Sequence, residues 1–162
     1  VSFGLTLRQY LDLAEEARSD FQADHLSLRK LISVCVLTNH LPEIVFAEHA
    51  AANPLKVHGQ TRVDDYRNQI VQIACPSALI IRDLCDYAKH GPRLRRSSVQ
   101  VDQTGKQTKL ELDTASFLAG APNHQEVERF VVTLRDGTER LAEDLVRDVV
   151  NYWNAEFVAH GL

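Results

Sequence analysis

Thr6-Leu7-Arg8-Gln9-Tyr10-Leu11-Asp12-Leu13-Ala14-Glu15-Glu16-Ala17-Arg18-Ser19-Asp20-Phe21 sets the class of the fold through its period. Leu7, Tyr10, Leu11, Ala14, Ala17 and Phe21 recur at helical spacing, while Glu15, Glu16, Arg18 and Asp20 take the other face. Thr6 with Gln9 three residues later has the form of a capping box, which supplies partners for the orphan amides of a helix start. The spacing predicts an amphipathic helix over Thr6 to Gln22.

Downstream the helical period continues. A second helix is expected from Asp24 to Ala50, where Leu28, Leu31, Ile32, Cys35, Val36, Leu41, Ile44 and Val45 cover more than one face. That distribution suits a central helix packed on several sides. Pro42 lies inside it and lacks an amide donor, so a kink or break is expected there. Ala51 to Thr61, with Asn53-Pro54 and Gly59, reads as a loop. A third helical region, Val63 to His90, is divided by Pro76, which suits the first position of a fresh helix, and Gly91-Pro92 ends it.

Beyond Gly91 the period shortens to two. Val99 and Val101, then Leu110 and Leu112, alternate with polar neighbours, and Thr104-Gly105 between them reads as the turn of a hairpin. Thr114 to His124, with Gly120 and Pro122, reads as a loop pinned to the core by Phe117 and Leu118. Phe130, Val132 and Leu134 alternate again up to Asp136-Gly137, a strong hairpin signal, with a return strand over Thr138 to Leu141. A last helix is expected from Ala142 to Ala159, with Leu145, Val149, Tyr152, Trp153 and Phe157 as its apolar stripe. The predicted fold is mainly α and a single domain over residues 1–162. It is a helical bundle, built from about residues 5–90 and 142–160, with a small antiparallel β-hairpin or meander at about residues 97–141 before the C-terminal helix.

With 44% hydrophobic and 25% charged residues, the chain has enough apolar material for a core without disulfide or metal staples. Its net charge of -4 gives no general attraction for nucleic acid or anionic membrane, so any such binding must come from a local patch. The longest apolar region, Leu31 to Phe46, is interrupted by Ser33, Thr38, Asn39, His40 and Glu43, short of the roughly 20 apolar residues of a membrane span. The opening residues lack the basic segment and cleavage site of a secretory signal. Cys35, Cys75 and Cys85 are odd in number and without Cys-x-x-Cys spacing, which fits buried free thiols in a reducing compartment. A cytoplasmic protein with no membrane partner is expected.

The segment richest in chemistry is Arg82-Asp83-Leu84-Cys85-Asp86-Tyr87-Ala88-Lys89-His90-Gly91, followed by Arg93, Arg95 and Arg96. At 100° per residue Asp83, Asp86 and His90 share one helix face, and Arg82, Asp86 and Lys89 form a neighbouring stripe. An arginine and a histidine so placed can hold a phosphate and move a proton. This segment resembles the late helix of the HEPN superfamily, helical bundles found in bacterial toxins, phage-defence ribonucleases and nucleotide-binding partners of nucleotidyltransferases. The resemblance rests on Arg82, the polar Asp83 after it, His90, and the Asp86-Tyr87-Ala88-Lys89-His90-Gly91 tail. It implies a homodimer in which Arg82 would hold the reacting phosphate of RNA and His90 would handle protons without a metal. Asp83 and Asp86 would support them, and Lys89, Arg93, Arg95 and Arg96 would bind phosphate. Seven residues separate Arg82 from His90, more than the family's motifs leave, and a regular helix turns the two about 80° apart.

The same residues also have an ordinary structural meaning. Lys89 and His90 complement the dipole at a helix end, Asp86 pairs favourably with a cation four residues on, and Gly91 and Pro92 are stop residues. Among other candidates, His40 and Glu43 have metal-compatible spacing with His49 nearby, but the ligand set is incomplete. No residue is assigned to a metal, no cofactor is expected, and no phosphate-binding loop or nucleophile elbow is present. The altered spacing and acidic balance favour a HEPN-like module that binds RNA, a nucleotide or a protein partner without catalysis. A metal-independent endoribonuclease or toxin and a structural oligomerisation protein are the alternatives.

Overall fold

Thr6 starts α1, Leu7–Ala23, as the capping box requires. Its hydroxyl accepts from the Gln9 amide at 3.2 Å, and the Thr6 amide donates to Gln9 Oε1 at 2.9 Å. The computed structural model describes residues 4–91, 100–120 and 123–162. A short turn then leads to α2, Leu28–His49, which begins at the first residue of its apolar pattern rather than at Asp24. Ser27 caps it, accepting from the Lys30 amide at 3.4 Å, and the Ser27 amide itself bonds back to Asp24 O. α2 passes through Pro42 as one helix, so the expected break does not occur. Leu41 and Val45 on either side are fully buried and hold both halves in the core, while the Thr38 hydroxyl bonds back to Val34 O at 2.8 Å. By length and composition α2 could cross a membrane. Here it is the central element, packed against α1 and the two later long helices.

The predicted loop after α2 contains a 3-10 turn, Pro54–Val57, whose Val57 is buried. The next helical run is irregular. α3, Val63–Asp65, passes into a π-helical segment, Tyr66–Val71, and then α4, Gln72–Ala74. Pro76 separates this run from α5, Ser77–His90, as expected, and Gly91 ends α5 with φ 73° and its amide on Tyr87 O at 2.9 Å. Pro92, Val99 and Pro122 lie outside the described residues.

The β-region corrects one expectation. β1, Val101–Leu112, is a single strand, and Thr104-Gly105 is not a turn. Gly105 sits opposite Val131 of β2, His124–Leu134, and the two strands pair antiparallel from Val101↔Leu134 to Leu112↔His124. Period-2 patterning persists straight through a glycine that is extended rather than left-handed, so the turn signal misled. The actual connection holds α6, Thr114–Leu118, capped by Asp113, which accepts from the Ala115 and Ser116 amides. Phe117 and Leu118 are 55% and 79% exposed, so they do not pin this connection to the core. The Asp136-Gly137 turn forms as predicted, with Gly137 at φ 84°, and returns the chain as β3, Glu139–Leu141. Sheet order is β1-β2-β3.

α7, Ala142–His160, closes the molecule against α1, α2 and α5. Leu145, Val149, Trp153 and Phe157 of its stripe are buried, Tyr152 less so. Phe130, Val131 and Val132 bury the inner end of the sheet beside α7, while the outer part of the β1–β2 pair is largely exposed. The fold is therefore a mainly α bundle with a three-stranded antiparallel sheet inserted before its last helix.

Candidate functional site

α5 is amphipathic, and its apolar side fixes where the polar residues go. Ile80, Ile81, Leu84 and Cys85 are buried, and at the start of the helix Ser77 Oγ donates to Asp148 Oδ2 of α7 at 2.9 Å. Asp83 lies on this inward side and is fully buried. Its Oδ2 accepts from the backbone amides of Gln100 at 2.6 Å and Val101 at 3.2 Å, so it anchors the start of β1 on α5. Arg82 is half-buried and donates to Asn68 Oδ1 of the π-helical segment at 3.2 Å. Asp86 is half-buried, and Lys89 and His90 are exposed at the carboxyl end. Arg93, Arg95 and Arg96 lie outside the described residues.

α5 is regular α-helix throughout, so nothing corrects the spacing of Arg82 and His90. Eight residues at 1.5 Å rise set their Cα positions roughly 12 Å apart along the axis. The π-helical segment of the described chain lies in the preceding run, under Asn68, rather than in α5. Within one chain the fold does not bring the Arg82 and His90 backbones together.

A line of polar residues, of which local spacing reveals only the His40–Glu43 and Asp64–Arg67 pairs, runs across the helices beside this end. Lys89 Nζ lies 3.2 Å from His40 Nε2, and His40 Nδ1 lies 3.6 Å from Glu43 Oε2. Glu43 Oε1 in turn pairs with Arg67, which reaches Asp64 at 3.1 Å. An ammonium can only donate, so Lys89 is the donor to His40 Nε2 in this contact, while His40 Nδ1 faces Glu43. His40 and Glu43 thus have cationic neighbours, Lys89 and Arg67, in the place where a metal would need their lone pairs. Compared with protein-family models, curated proteins and solved structures, the chain matches none.

Burial raises the pKa of all three thiols, Cys35, Cys75 and Cys85, and keeps them protonated. For Cys85 the Lys89 ammonium opposes that shift without reversing it. The thiols are therefore not activated nucleophiles. A cavity of about 10 Å³ between Thr38, Arg67, Val71, Ile81 and Trp153 is near the size of one water, far too small for a nucleotide. What the α5 end offers is an exposed basic surface made by Lys89 and His90, with His40 behind Lys89.

Proposed function

We propose that this chain is a HEPN-like helical module that binds an RNA or nucleotide partner at the carboxyl end of α5 without cleaving it. The observation that carries the reading is the use the fold makes of Arg82 and Asp83. Asp83 holds the first amides of β1, and Arg82 holds Asn68, so two of the four residues of a catalytic set serve the architecture. Lys89 and His90 remain on the surface, next to the basic Arg93, Arg95 and Arg96 in sequence. Helix carbonyls at this end repel anions, so side-chain cations have to supply the phosphate attraction. The homodimer implied by the resemblance finds support in β1, an edge strand of 12 residues with no strand on its outer side among the described residues.

The test is fluorescence anisotropy of a labelled oligouridine with the purified protein in excess EDTA, followed by gel analysis of the same RNA. Expected is binding that weakens as salt rises, a several-fold loss in the Lys89→Ala/His90→Ala double variant, and intact RNA. Cleavage leaving 2′,3′-cyclic phosphate ends, abolished by Arg82→Ala and by His90→Ala, would replace this reading with the endoribonuclease. No RNA binding by a folded, oligomeric protein would replace it with the assembly role.

A further inference from the structure

Where the 3-10 turn meets the carboxyl end of α7, three potential ligand atoms converge. His58 Nε2 lies 3.3 Å from Glu156 Oε2, and His160 Nε2 lies 3.6 Å from the same oxygen. All three ligand atoms fall within 4.8 Å of one another. We propose that His58, Glu156 and His160 form a binding site for a divalent transition-metal ion, with zinc the best match. The proposal is independent of the RNA-binding reading.

The donor set is two imidazole nitrogens and one carboxylate oxygen, the set that zinc accepts with water in the fourth position. Ligand bonds of about 2.0–2.1 Å put tetrahedral donors roughly 3.4 Å apart. The two His–Glu separations already bracket that value, and turning the exposed His58 ring shortens the remaining one.

Each ligand sits at the end of an element that sets its position. Glu156 and His160 are four residues apart on α7, so they share one face a single turn apart. Gly161 follows with φ 59° and ends the helix, its amide on Phe157 O. His58 is the one non-glycine residue with positive φ among the described residues, at 53°, and it ends the 3-10 turn with its amide on Leu55 O at 3.1 Å. Positive φ is uncommon outside glycine, though histidine is among the residues that adopt it more readily, and the His58 ring reaches Glu156 near the α7 terminus. Lys56 Nζ donates to Gly161 O at 2.5 Å and ties the two ligand-bearing segments together.

The rings behind the triad add a second kind of support. Tyr66 is fully buried and lies beside His58, ring centroids 6.3 Å apart and planes 30° apart. The rings of His58 and His160 meet edge to face at 4.8 Å. The hydroxyls of Tyr66 and Tyr152 are buried with no hydrogen-bond partner among the described residues. Tyr152 precedes Glu156 by one turn of α7. Buried hydroxyls of this kind usually find a partner, and water held beside Glu156 would supply one.

Without a metal the three side chains would be an ion-pair cluster at a helix end, with His160 complementing the dipole. A zinc titration against a chromophoric chelator, on the full chain freed of metal, separates the two. Expected is one zinc per chain and a melting midpoint raised by roughly 5–10 °C when free zinc is about 100 times Kd. His58→Asn keeps the positive φ accessible, and with Glu156→Gln and His160→Asn it should lower affinity by more than the roughly 10–100-fold of outer-shell changes. His40→Ala, which alters the other His–carboxylate pair, should leave affinity unchanged. Cobalt in place of zinc should give visible absorption bands that the Glu156→Gln variant lacks. Zinc binding that persists in all three ligand variants, or no stoichiometric binding by the folded protein, would overturn the proposal.

Discussion

Asp83 shows how a residue with a catalytic profile can be structural. Its carboxylate is fully buried and holds two backbone amides at the start of β1. Hydrogen bonds to a charged acceptor contribute about 1.5–3 kcal/mol each, and losing the acceptor leaves the amides short of a partner. Asp83→Ala should therefore lower unfolding stability by about 2–4 kcal/mol. Asp83→Asn should cost less, because the amide oxygen still accepts. Urea denaturation reads both, and an Asp83→Ala variant within about 0.5 kcal/mol of the parent would deny it the anchoring role. His58 is the opposite case. Nothing around it in the sequence marks it, and the carboxylate it meets in space comes from 98 residues later.

At the scale of elements, the β1–β2 pair is stitched across its exposed part by charge. Arg129 makes a bidentate contact with Glu111, Nε and Nη2 each 2.6 Å from a carboxylate oxygen, and Nη1 lies 3.4 Å from Glu143 at the head of α7. The guanidinium hydrogen bond holds the Glu111 carboxyl below its ordinary pKa. A carboxyl depressed in the folded state adds stability above its unfolded pKa, near 4.3, and loses that contribution as pH falls through the folded value. Glu111→Gln should therefore lose less stability than the parent between about pH 5 and pH 3. The difference stays within about 1 kcal/mol, because both partners keep contact with solvent. Parallel acid titrations of stability followed by circular dichroism check this, and superimposable curves would deny the pair its role.

Across the whole molecule, Trp153 occupies the junction of the bundle. It is fully buried on α7 and lines the small cavity together with Thr38 of α2, Val71 of the π-helical segment and Ile81 of α5. Its removal opens a void that three separate elements would have to collapse into at once. Trp153→Ala should cost about 3–5 kcal/mol, whereas Leu118→Ala, at 79% exposure, should change stability by less than about 0.5 kcal/mol. Thermal unfolding of the two variants side by side tests this; similar losses would mean that the core does not centre on Trp153.

The sequence by itself determined the elements whose signals are local. Capping by Thr6, the period of α1, the stop at Gly91, the Asp136-Gly137 turn and the stripe of α7 each depend on residues a few positions apart, and each stands where its chemistry requires. Thr104-Gly105 failed as a turn because pairing of β1 with β2 outweighs what one dipeptide prefers. Pro42 failed as a break because burial on both sides holds α2 together. The candidate site divided in the same way. The basic end of α5 was legible from Lys89, His90 and Gly91, but the turning of Asp83 inward onto β1 was not. His160 falls one residue past the predicted end of the last helix, so neither its pairing with Glu156 nor the third partner, His58, was read from the sequence. Only the tertiary structure decided these, since long-range packing, rather than sequence distance, brings their atoms within bonding reach.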